Sequence, residues 1–124
     1  MLVKFNNLNI TNASGVTLQR NLTPTELLGN LTVTGGGVLN TSDGPNVYSI
    51  TGVSENAFIV GAGSTLNVGS SATAAGTFPT GFSTFSLSGT STVEYGNTST
   101  SAQTISLTPV YGNVLLSGSG NITL

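Results

Sequence analysis

The chain of 124 residues contains no cysteine, no histidine and no tryptophan, and only 5% of its residues are charged. Without cysteine there is neither a disulfide framework nor a thiolate metal site. Without histidine the commonest general base and metal ligand is missing. These absences exclude zinc, haem and iron–sulfur sites built on those ligands, and also Ser-His-Asp and Cys-His catalysis. We therefore expect no catalytic residue, no metal-binding residue and no cofactor.

The scarcity of charge also limits the partners that the chain can bind. Its two basic residues cannot neutralise the several phosphates that a nucleic-acid interface contacts, so no nucleic-acid binding is expected. No apolar run approaches the roughly 20 residues that a membrane helix requires, so no membrane insertion is expected either.

Small neutral residues take the place of the missing charge, since Thr, Ser, Asn and Gly fill 66 of the 124 positions. Such a composition would suit a disordered linker, but apolar residues recur regularly within it. Segments such as Leu31-Thr32-Val33 and Phe85-Ser86-Leu87 alternate apolar and polar residues. This period of two predicts half-buried β-strands.

The strands recur as copies of one unit. If the first apolar residue of each unit is position zero, that position holds Leu8, Leu31, Phe58, Phe85 and Val114. Position two holds Ile10, Val33, Val60, Leu87 and Leu116, and position eight holds Val16, Leu39, Leu66, Val93 and Ile122. Position ten holds Leu18, Thr41, Val68, Tyr95 and Leu124, and position minus three holds Phe5, Leu28, Glu55, Phe82 and Tyr111. Only Thr41 and Glu55 break the apolar pattern.

The units are 23 to 29 residues long, a period that indicates a solenoid. We predict an all-β fold, a right-handed single-stranded parallel β-helix (β-solenoid) of four to five coils, formed by residues 1–124 as one domain. Each coil would place strands at positions zero to three and seven to ten, with a bend between them. A return segment would supply a third wall. The candidates for its apolar side chains are Val47, Ile50, Phe78, Ile105 and Leu107.

Stacking of the coils about 4.8 Å apart would turn equivalent side chains into columns. A charged residue would then often meet its like in the next coil, whereas Thr, Ser and Asn can stack and hydrogen-bond. Position minus one predicts a partial asparagine ladder through Asn7, Asn30 and Asn113. Because neither end has the atypical polar repeat that protects a solenoid, we expect an uncapped segment of a longer array, or copies that stack end to end.

The last units carry a family resemblance. The segments 91–97, 102–105 and 111–124 read STVEYGN, AQTI and YGNVLLSGSGNITL. They resemble the repeats of very large β-solenoid surface proteins and adhesins of Bacteroidota and related bacteria, where a unit of the form STVEY…AQT(I/V)…YYNLTLSGSGTKTL recurs. The match covers residues 84–124 and departs from the pattern at Gly112 and Asn121. The resemblance implies secretion and a role at the cell surface or in a matrix, and no catalytic residue, because the family motif is a packing motif.

Catalytic β-helices that cleave polysaccharides need clustered carboxylates. Here the four acids fall in four different columns, and only Glu26 and Glu55 could approach each other. A solvated surface pair is favoured over a functional one there. The basic residues Lys4 and Arg20 are expected to be isolated and to serve solubility.

Three other kinds of binding site have some signal in the sequence. Asp43 beside Gly44 offers one carboxylate for calcium, which is a weak signal. Outward threonines could bind ice, but they do not continue into the later coils; they are Thr11, Thr32 and Thr34. Exposed tyrosines could stack on sugar rings, although Tyr95 and Tyr111 stand at positions that predict an inward side chain, which leaves Tyr48.

These observations favour a structural, non-enzymatic β-solenoid module of an extracellular surface adhesin or stalk, acting as a rigid spacer or scaffold. One alternative is the subunit of a self-assembling extracellular filament whose copies stack head to tail. Another is a carbohydrate-binding or polysaccharide-degrading β-helix. The expected partners are neighbouring repeats of the same chain or identical copies stacked axially, with surface glycans as a further option.

Overall fold

The computed structural model describes residues 3–124, a range that contains strands, turns and loops and no helix. Its eleven strands are short, as expected for alternating segments bounded by glycine, serine and asparagine. They are β1 (Leu8–Ile10), β2 (Val16–Thr17), β3 (Leu31–Val33), β4 (Val38–Asn40), β5 (Ala57–Val60), β6 (Thr65–Val68), β7 (Thr84–Leu87), β8 (Thr92–Gly96), β9 (Gln103–Thr104), β10 (Asn113–Ser117) and β11 (Ile122–Thr123).

Every pair of neighbouring strands is parallel, and the strands build the walls of a β-solenoid. The first wall has the order β1-β3-β5-β7, and the second has the order β2-β4-β6-β8-β10. The return segments contribute parallel bridges, Leu22 with Ile50 and Thr51 with Thr80, and the two-stranded sheet of β9 and β11. The predicted all-β solenoid fold is confirmed.

The interior consists of the predicted columns. In the first wall the successive cross-strand partners are Leu8, Leu31, Phe58 and Phe85. In the second wall they are Val16, Leu39, Leu66 and Val93. Thr41, which interrupts the apolar column at position ten, is also buried. Its hydroxyl donates to the carbonyl of Asn67 at 3.3 Å and accepts the amide of Gly69 at 3.2 Å, so the buried polar group is satisfied.

The predicted number of four to five coils is slightly too high, since the structure has about three turns. The first wall follows the repeat through Leu8, Leu31, Phe58 and Phe85, but its fifth member departs from it. Val114 pairs with Val93 in the second wall instead of stacking on Phe85, and Ile122 pairs with Gln103 instead of Val93. The last coil is therefore shorter than the others and shifted by one wall.

Two further positions differ from prediction. Position minus three of the second unit was assigned to Leu28, but Leu27 bridges to Phe5 and is fully buried while Leu28 is 44% exposed. In the return segment Ile50, Phe78 and Ile105 are buried as predicted, whereas Leu107 is 80% exposed. Both errors arise where the chain leaves the strands, because a one-residue change in a loop moves an apolar side chain to the other face.

The bends between the first and second walls use glycine for geometric reasons. Gly35 and Gly63 have φ of 63° and 67°, in the left-handed region that favours glycine. Gly37 has an ordinary φ, but a Cβ there would collide with the carbonyl oxygen of Ile10 in the preceding coil. The close approach of successive bends therefore requires a residue without a side chain.

Candidate functional site

The ladder predicted at position minus one forms in part, and it joins side chain to backbone. The Asn7 side-chain oxygen accepts the amide of Asn30 at 2.9 Å, and the Asn30 oxygen accepts the amide of Ala57 at 2.8 Å. Asn113 does not continue it, because β10 lies on β8. These contacts tie successive coils together at the entry to the first wall.

Glu26 is not the solvated surface acid that the sequence predicted. It is buried and forms an ion pair with Arg20, which is therefore not isolated. The Arg20 side chain is 59% exposed and the Glu26 side chain is 4% exposed, so the pair joins the surface of the solenoid to its interior. Glu55, its proposed partner, is an exposed residue in a turn, and the two acids do not form a site.

A local turn explains the burial of Glu26. The Glu26 carboxylate accepts the Thr23 hydroxyl at 2.8 Å and the Thr23 amide at 3.2 Å, while the Thr23 carbonyl accepts the Glu26 amide at 3.0 Å. One half of a capping box is present, the Glu26 side chain that accepts the Thr23 amide, while the backbone bond from the Glu26 amide to the Thr23 carbonyl closes a turn. The Thr-Pro-Thr-Glu sequence over residues 23–26 is the signal for this turn, and it lies outside the pattern of apolar columns.

An apolar cavity of about 380 Å³ opens beside this ion pair, at the first coil. Val16 of the second wall and Leu18 just after that strand line it, together with Leu8 of the first wall. Arg20 and Glu26 form its polar side. The cavity is the open end of the interior columns, as far as the described residues show it.

Asp43 serves its own loop. One carboxylate oxygen accepts the Asn46 amide at 2.8 Å, and the other accepts the Tyr48 hydroxyl at 2.8 Å. The hydrogen bond from Tyr48 is the main reason that the pKa of Asp43 lies below its usual value, and it raises the pKa of Tyr48. Both carboxylate oxygens of Asp43, which is the weak calcium signal in the sequence, are thus engaged by protein donors.

The other two tyrosines lie at the interior, as predicted. Tyr95 is fully buried and Tyr111 is partly buried, and their hydroxyl oxygens are 2.7 Å apart. The Tyr111 hydroxyl donates to the carbonyl of Ser106 at 2.7 Å, and the Tyr95 oxygen accepts the Ser106 amide at 3.2 Å. Burial raises the pKa of both hydroxyls. This tyrosine pair (Tyr95 and Tyr111) fastens the last coil and offers no exposed platform for a sugar.

A second ladder, which the apolar columns do not predict, runs along the outward face of the second wall. This amide ladder consists of Thr17, Asn40, Asn67 and Glu94, which are successive cross-strand partners. The Asn40 amide donates to Thr17 at 3.1 Å, and the Asn67 amide donates to Asn40 at 2.6 Å. Position nine of the repeat shows these residues in the sequence, and inspection of that position would have found the ladder.

The amide ladder ends at a carboxylate. Glu94 accepts the Ser117 hydroxyl at 2.6 Å, and the side-chain oxygen of Asn67 is buried without a hydrogen-bond partner. Gln103 is the other such case: it is fully buried, its amide donates to the Val68 carbonyl at 2.9 Å, and its oxygen has no partner. Neither side chain is titratable, and the one carboxylate next to them, Glu94 beside Asn67, accepts its hydrogen bond from Ser117.

The outward threonines do not form a regular array. Thr11 is exposed, while Thr32 and Thr34 are half-buried. The Thr34 hydroxyl donates to the Asn9 side-chain oxygen at 3.1 Å, so it belongs to the coil-to-coil bonding. In the next two coils the cross-strand partners of Thr32 are Ile59 and Ser86, which interrupt the column.

Within residues 3–124 no three Asp or Glu side chains come close enough to hold a metal ion. The same residues include no helix that is long and apolar enough to cross a membrane. Comparisons with protein-family models, with curated proteins and with solved structures gave no match. The resemblance to bacterial surface-protein repeats therefore stays a prediction.

Proposed function

We propose that the chain is a structural, non-enzymatic module of an extracellular surface protein, such as an adhesin or stalk, and acts as a rigid spacer. The observation that carries the proposal is the continuity of both walls from coil to coil. Four strands in the first wall and five in the second are joined in register, so each coil is held to the next by backbone and side-chain bonds.

The inner and outer faces support this role in different ways. Apolar columns fill the interior and resist bending, because a change in register would move them to the surface. The outward faces carry neutral side chains that bond between coils, as in the amide ladder. Such a surface is uncharged yet wettable, which suits a spacer that must stay soluble. As part of this proposal, the coil is right-handed.

The experiment lengthens the solenoid in phase. Leu124 stands at the repeat position of Tyr95, so copies of residues 96–124 added after Leu124 continue the repeat. Small-angle X-ray scattering on chains with one to four added copies should show a length that grows linearly, by about 4.8 Å per coil. Growth with the square root of residue number, as for a flexible linker, would overturn the spacer role. Antibodies that label only permeabilised cells of the producing organism would overturn the surface location.

The second candidate is a filament subunit, and the two ends of the solenoid favour it. The first coil has an open apolar cavity that Val16 helps to line, and the last strand of the same wall exposes Val114 and Leu116. Val16 and Val114 belong to one column, so a copy whose β2 docks on β10 would continue the column of the second wall. Sedimentation of the isolated chain tests this, because a monodisperse monomer at high concentration contradicts assembly. Surface glycans are the remaining predicted partner, and binding of the isolated chain to a glycan array tests them.

A further inference from the structure

The shift of the last coil leaves one strand edge without a partner. Within the described residues β7 pairs with β5 and with no strand on its other side, although β8, in the same coil, is covered by β10. Phe85 and Leu87 on β7 are only half-buried as a result. An unpaired edge exposes backbone donors and acceptors that readily take up another strand.

The sequence repeat identifies the strand that fits this edge. In the repeat register Val114 lies on Phe85 and Leu116 lies on Leu87. The observed register instead places them on Val93 and Tyr95. Both registers turn the same two side chains inward, because the difference between them does not change the alternation of faces. Residues 113–117 therefore suit either wall.

What distinguishes the registers is whether another coil follows. Val93 and Tyr95 are fully buried, and in this structure β10 is what covers them. In the repeat register Ile122 and Leu124 would cover them instead. In the observed register Leu124 is 89% exposed, and Leu116 is 52% exposed. A further coil laid on the repeat register would cover both residues, so the added burial favours that register in a longer solenoid.

A second copy does not fit the free edge as well. The strands β1 and β2 belong to one coil, as β7 and β8 do. A β1 strand docked on β7 would bring its β2 strand to the level of the second wall that β10 already occupies. The edge is thus available to the chain itself but not to a copy that continues both walls.

We propose that the free edge of β7 is the docking site for residues 113–117 of this same chain, which occupy it when a further coil follows Leu124. The position of β10 on β8 is then the closing arrangement of a last coil, fastened by the tyrosine pair. The proposal rests on the proposed spacer function in one respect, that a further coil can follow.

Paired cysteines report the register, because the natural chain has none. Leu115 is the outward partner of Glu94 in the observed register and would be that of Ser86 in the repeat register. Cross-strand partners about 5 Å apart lie within the range of a disulfide. The test uses Glu94→Cys with Leu115→Cys, and Ser86→Cys with Leu115→Cys. A third pair, Ile59→Cys with Ser86→Cys, joins β5 to β7 and is the folding control.

Each pair is made in the chain itself and in the chain extended by one copy of residues 96–124. Mass spectrometry after oxidation and thiol alkylation measures the disulfide yield. We expect the 94–115 disulfide to dominate in the chain itself and the 86–115 disulfide to dominate in the extended chain. The ratio of the 94–115 yield to the 86–115 yield should fall from above one in the chain itself to below one in the extended chain. We expect this ratio to change by about tenfold or more, where tenfold corresponds to 1.4 kcal/mol. The 59–86 disulfide should form in both.

An unchanged preference for either disulfide in the two proteins would overturn the proposal. The proposed function fails in a different way. If the disulfides switch but the length does not grow linearly with added coils, the register proposal holds and the spacer role does not. If the length grows linearly and the 94–115 disulfide persists, only the register proposal is wrong.

Discussion

Replacing Phe58 by alanine tests the stacked interior directly. Phe58 is fully buried between Leu31 in the preceding coil and Phe85 in the following one. Its ring also packs against Phe78 and Phe82, with centroids 5.9 and 5.8 Å away. Because coils lie on both sides, the space left by the ring cannot close by a simple collapse.

The loss in the free energy of unfolding follows from this enclosure. Removal of a buried phenylalanine side chain costs about 3–5 kcal/mol when the cavity persists, and the edge-to-face ring contacts place Phe58 in the upper part of that range. Phe85→Ala is the matched control, because Phe85 also contacts three rings but lies half-buried on the free edge of β7. With no strand beyond it, that space opens to solvent, and we expect a cost of about 1–2 kcal/mol.

Equilibrium unfolding in urea, followed by far-ultraviolet circular dichroism, measures both free energies. A domain of this size has about 5–15 kcal/mol of stability, so Phe58→Leu is included as a milder variant that keeps the protein folded. It should fall between the wild type and Phe58→Ala. Equal losses for Phe58→Ala and Phe85→Ala would refute the reasoning, because they would show that position in the stack does not matter.

Three further predictions concern the ladder, the tyrosines and the bends. Asn67→Asp removes the amide donor and places a carboxylate beside Glu94, which should cost about 1–2 kcal/mol at neutral pH. In Asn12→Asp the side chain still accepts the Ser14 amide, so urea unfolding should show little change, and equal effects would contradict the ladder. Because burial raises the pKa of the tyrosine pair, its contribution to stability is complete below about pH 10 and is lost as the pH rises further. Tyrosinate absorbance should therefore appear together with the loss of circular dichroism, and ionisation of all tyrosines in the folded protein would disprove this. Gly37→Ala should cost about 1–3 kcal/mol in thermal unfolding because a Cβ meets backbone. Gly89→Ala, where nothing lies within 4 Å, should be neutral or slightly stabilising. Similar losses at both glycines would exclude the steric explanation.

The columns could be predicted from the sequence because side-chain alternation and unit length act together. A strand with one buried face tolerates no shift of one residue, so Leu31, Phe58 and Phe85 could be aligned from apolar character alone. The register of the last coil could not be predicted in this way. Val114 and Leu116 face inward on either wall, and the pattern of apolar residues does not state which wall they join.

The candidate site was harder to predict because its polar contacts depend on local geometry. The burial of Glu26 follows from the turn that Thr23 closes and from the ion pair with Arg20, and neither appears in the column pattern. Leu27 and Leu28 are equally apolar neighbours, so only the path of the loop decides which one is buried. The pattern of repeats thus predicts walls and leaves the turns between them undetermined.

The positions of the carboxylates refine the argument about low charge. A stacked column disfavours like charges at adjacent levels, yet a single carboxylate is accommodated where the surrounding residues offer donors. Glu26 has Thr23 and Arg20, Asp43 has Asn46 and Tyr48, and Glu94 has Ser117. In each case the donor comes from a turn or from a residue outside the acid's own column. The restriction on charge therefore acts between equivalent positions of successive coils rather than on the surface as a whole, since Glu94 stands within a regular strand but its neighbour in the preceding coil is the neutral Asn67.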